Sequence, residues 1–173
     1  MTVSLDELNA LPAKDAAELF RSCCGASAWV SAMVARRPYK SEQDLLDAAD
    51  NAWSSATRND WREAFEHHPR IGENQSTIQQ TARARDWAEG EQSRARLASS
   101  SVHDQMSLVN RAYETKFGYI YVVFATGKTA RELLDMARQR IKNDPETEIR
   151  VAAEEQRKIT QLRLKKLIGT EPA

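Results

Sequence analysis

The residues best suited to chemistry fall in one run, Glu66-His67-His68-Pro69-Arg70-Ile71-Gly72-Glu73-Asn74-Gln75-Ser76. The chain carries three histidines, His67, His68 and His103, and histidine is the one side chain that normally gains or loses a proton near neutral pH. Pro69 biases His68 away from helical geometry, so a helix running through Trp61 ends at about Phe65 to His67 and leaves His68 on an elbow. An imidazole on a rigid elbow is placed for proton transfer. The same pair would also serve as a C-terminal cap, because a cation is favoured at the negative end of the helix dipole.

Other oddities lie in helical segments. Ala95, Ser99, Val102, Met106, Val109 and Tyr113 follow 4-3-4-3-4 spacing and predict one buried seam. Extending the register backwards reaches Gln92 and Ala88, with Glu91 at the seam's edge. A carboxylate and an amide there need partners if buried; a protruding, solvated helix end is the alternative. In the last helix Ile159, Leu162 and Leu167 define an apolar arc that contains Arg163. Its guanidinium must meet an acceptor, such as Glu91 or an anionic ligand, or lay its stem along the core edge.

The elements that must position these residues are helical. Helices are expected at 4–10, 14–24, 26–35, 41–56, 59–66, 76–84, 87–116, 129–141 and 145–168. Ser4 to Glu7 and Thr129 to Glu132 spell capping boxes, and Asp144-Pro145 reads as an N-cap followed by a first-turn proline. The one β-like run, Tyr119-Ile120-Tyr121-Val122-Val123-Phe124, lies between Gly118 and Gly127 and has no partner strand. It predicts an extended buried segment whose backbone groups must be satisfied by a ligand, by neighbouring helix ends or by water.

Composition narrows the partners. At 173 residues the chain fits one domain, residues 1–173 with a loose tail from about 169, and needs no covalent staple. Lys plus Arg and Asp plus Glu both number 25, which gives no net field for nucleic acid or an anionic membrane. The adjacent Cys23 and Cys24 suit neither a disulfide nor a metal site, and read as small apolar residues in a reducing compartment. No 18-residue apolar run, secretory leader or peroxisomal ending is present, so a cytoplasmic location is expected.

Four motifs together carry a resemblance: His68-Pro69-Arg70-Ile71-Gly72; Glu91-Gln92-Ser93; Phe117-Gly118-Tyr119-Ile120-Tyr121-Val122-Val123 with Ala125-Thr126-Gly127-Lys128; and Ile159-Thr160-Gln161-Leu162-Arg163-Leu164. In this order they resemble the 2-oxo-4-hydroxy-4-carboxy-5-ureidoimidazoline (OHCU) decarboxylases of urate breakdown, over nearly the whole chain. The resemblance implies an all-α, single-domain helical bundle with one short extended segment. It implies a homodimer that converts OHCU to (S)-allantoin without metal or organic cofactor. It places the acid/base on His68, a pocket wall on Pro69, and the family's Ser-x-x-Glu-Gln substrate run on Ala88 to Gln92. Glu91 and Gln92 match, whereas Ala88 lacks the serine hydroxyl, a hydrogen bond worth about 0.5–1.5 kcal/mol. The stretch Tyr121, Val122, Val123, Phe124 and Ala125 corresponds to the segment that lines the substrate, and Arg163 to the arginine of the family's Leu-Arg-Leu helix.

Two other readings compete. A metal-dependent hydrolase would draw on His67, His68 and His103 with Glu73 or Glu91, but adjacent histidines and the lack of His-x₃-His spacing disfavour it. A helical interaction module would use Trp29, Trp53, Trp61 and Trp87 as anchors, although tryptophans at helical positions more often belong to a core.

Overall fold

A computed structural model describes residues 2–72, 81–93 and 99–170. Among these the architecture is all-α, with helices α1 (Leu5–Ala10), α2 (Ala13–Cys23), α3 (Ser27–Arg36), α4 (Glu42–Ser54), α5 (Arg58–Glu66), α6 (Ala82–Glu91), α7 (Ser100–Phe117), α8 (Ala130–Arg140) and α9 (Pro145–Ile168). The expected caps form. Ser4 and Thr129 each accept from the backbone of a glutamate three residues on, and that glutamate bonds back. Asp144 accepts from Thr147 N at 2.9 Å and Thr147 Oγ1 at 2.6 Å, which starts α9. No helix of the described residues is long and apolar enough to cross a membrane.

The chain divides into two compact units, one of residues 1–64 and 157–173, the other of residues 65–156. In the first, Phe20 lies edge-on to Trp29 and Tyr39, with ring centroids 6.1 and 6.3 Å away. Trp29 Nε1 donates to Ala49 O at 3.1 Å, and Tyr39 OH to Met33 O at 2.6 Å, so burying these rings leaves no polar handle unsatisfied. Trp29 and Trp53 are core residues here rather than exposed anchors, while Trp61 and Trp87 are half-buried.

The second unit is organised on α7 and α8, around Tyr113, Phe117, Tyr119 and Tyr121. Tyr113 meets the other three rings at 4.6, 5.9 and 5.4 Å. Its phenol donates to the fully buried Glu148, which also accepts from Arg140 Nε and Nη2 at 2.8 and 2.6 Å and from Asn143 Nδ2 at 2.8 Å. Burial pushes the Tyr113 phenol well above its ordinary range, and the Glu148 carboxylate adds to that, so Tyr113 remains a neutral donor. Burial works against the Arg140 charge, but Tyr113, Glu148 and Tyr121 outweigh it and hold the guanidinium protonated.

One part of the helical expectation is corrected. The sequence predicted separate helices at 76–84 and 87–116; instead α6 runs from Ala82 to Glu91 and α7 starts at Ser100. Thr81 is extended and caps α6 by accepting from Ala84 N at 3.1 Å. Gln92, two residues after Gly90, leaves helical geometry, and Ser99 is extended at the N-cap of α7. Glycine weakens a helix interior, which suits the end of α6 beside Gly90. The seam is therefore not continuous. Ser99 is exposed, Val102 and Val109 are half-buried, and Asn110 joins Met106, Tyr113 and Phe117 on the buried face. Ala95 lies outside the described residues, as do 76–80 of the expected helix.

Candidate active site

The elbow forms where Pro69 forbids helix continuation. α5 stops at Glu66, His68 N donates to Phe65 O at 3.1 Å, and His68 and Pro69 are both buried. His68 thus leaves the helix with its ring inside the second unit rather than in solvent. Its Nε2 lies 2.6 Å from Oε1 of Gln156, a fully buried residue of α9.

Three side chains fix the loop that follows. Arg70 pairs in a fork with Glu114 of α7, Nε to Oε1 at 2.6 Å and Nη2 to Oε2 at 3.0 Å. Partly exposed, this pair is worth about 1 kcal/mol at most, yet its two-point geometry fixes direction. Asn110 Nδ2 donates to Ile71 O at 3.2 Å, and Gly72 N donates to Gln92 Oε1 at 3.0 Å. Gly72 has φ +85°, a backbone conformation that favours glycine. With Gln92 Oε1 committed to the loop, its amide hydrogens are the face it offers elsewhere.

Gln92 caps the C-terminal end of α6, so Ala88, Glu91 and Gln92 share the last turn. Ala88 and Gln92 are buried, and Glu91 is half-buried at their edge. The packing of Ala88 and Gln92 follows the sequence expectation, although the continuous helix from which it was read does not exist.

The segment Tyr121 to Ala125 lies in neither helix nor strand and is buried except for a half-buried Phe124. Side chains satisfy part of its backbone, a class of partner not anticipated from sequence. Arg140 Nη1 donates to Val122 O at 2.7 Å with its guanidinium 4.8 Å above the Tyr121 ring. Phe124 N donates to Glu155 Oε2 at 2.7 Å, and Lys128 Nζ to Phe124 O at 2.6 Å. Among the described residues the N–H groups of Val122 and Val123 make no hydrogen bond. Burial raises the Tyr121 phenol above its usual range, and its OH donates to Leu133 O at 3.3 Å.

Arg163, in the first unit, is 2% exposed, and its Nη1 lies 3.5 Å from Ser22 O. A backbone carbonyl is thus one acceptor beside the guanidinium. Among the described residues no group of three His, Cys, Asp or Glu side chains is arranged to hold a metal ion.

Sequence reasoning missed Gln156, Glu155, Arg140, Glu148, Glu114 and Asn110. Gln156 was open to discovery by the argument used for Arg163. Ile149, Ala152, Gln156, Ile159 and Arg163 follow 3-4-3-4 spacing on α9, which puts an amide in an apolar stripe.

Against known proteins, the family model described as OHCU decarboxylase matches residues 9–165. The chain belongs to the OHCU decarboxylase family. Within it, the chain is 33% identical over 150 residues to the uric acid degradation bifunctional protein TTL of Arabidopsis thaliana, covering 87% of this chain and 46% of that one. It thus spans under half the length of that bifunctional relative. It is 25% identical to the OHCU decarboxylase of Haloferax volcanii, covering 98% of both chains. Among solved structures it is similar to an OHCU decarboxylase crystallised in the presence of (S)-allantoin, with a TM-score of 0.76 and 32% identity over 88% of this chain and 98% of that one.

Proposed function

We propose that this chain decarboxylates OHCU to (S)-allantoin in urate catabolism, without a metal or organic cofactor, as one OHCU decarboxylase-like domain over residues 1–173. The observation that carries this is the buried His68 imidazole, oriented by Gln156 on a loop held by Glu114, Asn110 and Gln92.

Loss of CO2 breaks a carbon–carbon bond and leaves its electron pair on the ring, where it must be held until a proton arrives on one face. His68 handles that proton, a role worth ~10²–10⁴-fold in rate. One-sided delivery yields a single enantiomer where the spontaneous reaction gives a racemate. Glu91 accepts from substrate N–H or O–H groups, and Gln92 donates its amide hydrogens to a ring carbonyl. The Val122 and Val123 N–H groups stabilise developing oxyanion charge, while Pro69, Ala88, Tyr121, Phe124 and Ala125 wall the pocket and keep the departing carboxylate poorly solvated. Arg163 retains the substrate or ion-pairing role implied by the family's Leu-Arg-Leu helix. The enzyme works as a cytoplasmic homodimer with OHCU as its small-molecule partner, and its balanced charge gives it no nucleic-acid or membrane partner.

His68→Ala tests the assignment. The variant keeps its far-ultraviolet circular dichroism and loses catalysed (S)-allantoin formation by a factor of ~10² or more. Wild-type turnover in a folded variant refutes it.

A further inference from the structure

We infer that Gln156 is a positioning residue that fixes which ring nitrogen of His68 carries the hydrogen and keeps the imidazole ready to exchange a proton near neutral pH. The inference deepens the functional reading above and rests on it for its kinetic consequence. A carbonyl oxygen pairs only with a protonated nitrogen, so the 2.6 Å approach of Oε1 puts the hydrogen on Nε2 and makes Nδ1 the basic nitrogen of the neutral ring. Gln156 is fully buried, and leaving such an amide unsatisfied is costly. The pair therefore constrains both partners.

The partner of the imidazole is an amide and not a carboxylate. A carboxylate at 2.6 Å would favour the imidazolium; a neutral amide orients the ring without that bias. A carboxylate stands one residue away, but Glu155 is committed to the Phe124 N–H. One step along α9 thus separates the group that holds the extended segment from the group that holds the imidazole. Other charges in the unit are also committed: Arg70 to Glu114, and Glu148 to Arg140, Tyr113 and Asn143. Other titratable groups on these elements include Glu66 and His67 beside His68, Asp86, Glu89 and Glu91 on α6, His103, Asp104, Arg111 and Lys116 on α7, and Glu154 on α9.

The test uses the full ¹⁵N-labelled chain and two-bond ¹H–¹⁵N imidazole correlations, which need no turnover. Wild-type His68 is expected in the Nε2–H form. Gln156→Glu moves its titration, and with it the acidic limb of kcat/KM, upward by on the order of one pH unit. Gln156→Met, which cannot accept strongly, loses the tautomer preference and lowers kcat about tenfold with KM nearly unchanged, and circular dichroism verifies the fold of both variants. An Nδ1–H tautomer in the wild type overturns the inference, as does a folded Gln156→Glu whose His68 titrates unchanged. If Gln156→Glu does not fold, the tautomer and kcat of Gln156→Met decide alone. Should the expected tautomer and titration appear in a wild type that does not decarboxylate OHCU, the functional reading fails and the positioning role stands.

Discussion

Replacing Arg140 with methionine removes the only cationic partner that Glu148 has among the described residues. Glu148 is fully buried, and Arg140 supplies two of its four hydrogen bonds, at 2.8 and 2.6 Å; Tyr113 and Asn143 supply the others as neutral donors. Breaking a buried ion pair on one side costs about 3–5 kcal/mol, because the desolvated charge remains without compensation. Arg140→Met also strips the Val122 carbonyl of its 2.7 Å donor, itself worth about 1–3 kcal/mol if the group stays buried, so the upper half of the range applies. Glu148→Leu leaves Arg140 stranded at a similar cost. The double variant removes both charges and loses only about 1–3 kcal/mol, mostly from Val122 O and the Tyr113 hydroxyl. Urea unfolding followed at 222 nm on all four proteins measures the coupling. A loss below about 1 kcal/mol in Arg140→Met, or singles that sum to the double, refutes the claim that this pair anchors the extended segment.

Two further outcomes are expected. Burial pushes the Cys24 thiol up to about 12. With the unfolded thiol near ~8.5, its contribution to stability is intact below that value and is lost as the pH rises towards the folded one, a decline that Cys24→Ala flattens. At pH 8 iodoacetamide modifies Cys24 no faster than the protein unfolds, and rapid modification of the native state contradicts its burial. Restoring the family's serine by Ala88→Ser adds a hydroxyl at a buried position of α6 and lowers KM about two- to tenfold. An unchanged or higher KM shows that the hydroxyl does not reach substrate.

The parts of the site written in local chemistry were legible. Pro69 announces the elbow, Asp144-Pro145 announces α9, and Arg163 in an apolar arc announces a buried charge; each depends on neighbours within a turn or two of chain. The break between α6 and α7 was hidden because the apolar spacing around it continues a helical register, and periodicity cannot register that Gln92 and Ser99 leave helical geometry. The pairings that hold the site were hidden for another reason. His68 meets Gln156 across 88 residues and Arg70 meets Glu114 across 44, so the choice of partner among many amides and carboxylates is made by tertiary packing. The extended segment was found as a segment, but its need for partners was answered by Arg140, Glu155 and Lys128, whose side chains look like surface charges in sequence.

The central claim is catalysis of one decarboxylation with control of the product's hand. Purified protein added to freshly generated OHCU, followed by circular dichroism at the allantoin band, tests it directly. Dextrorotatory (S)-allantoin is expected to accumulate faster than the spontaneous racemate forms, with a signal that scales with protein concentration; a racemic product appearing at the uncatalysed rate rules out catalysis.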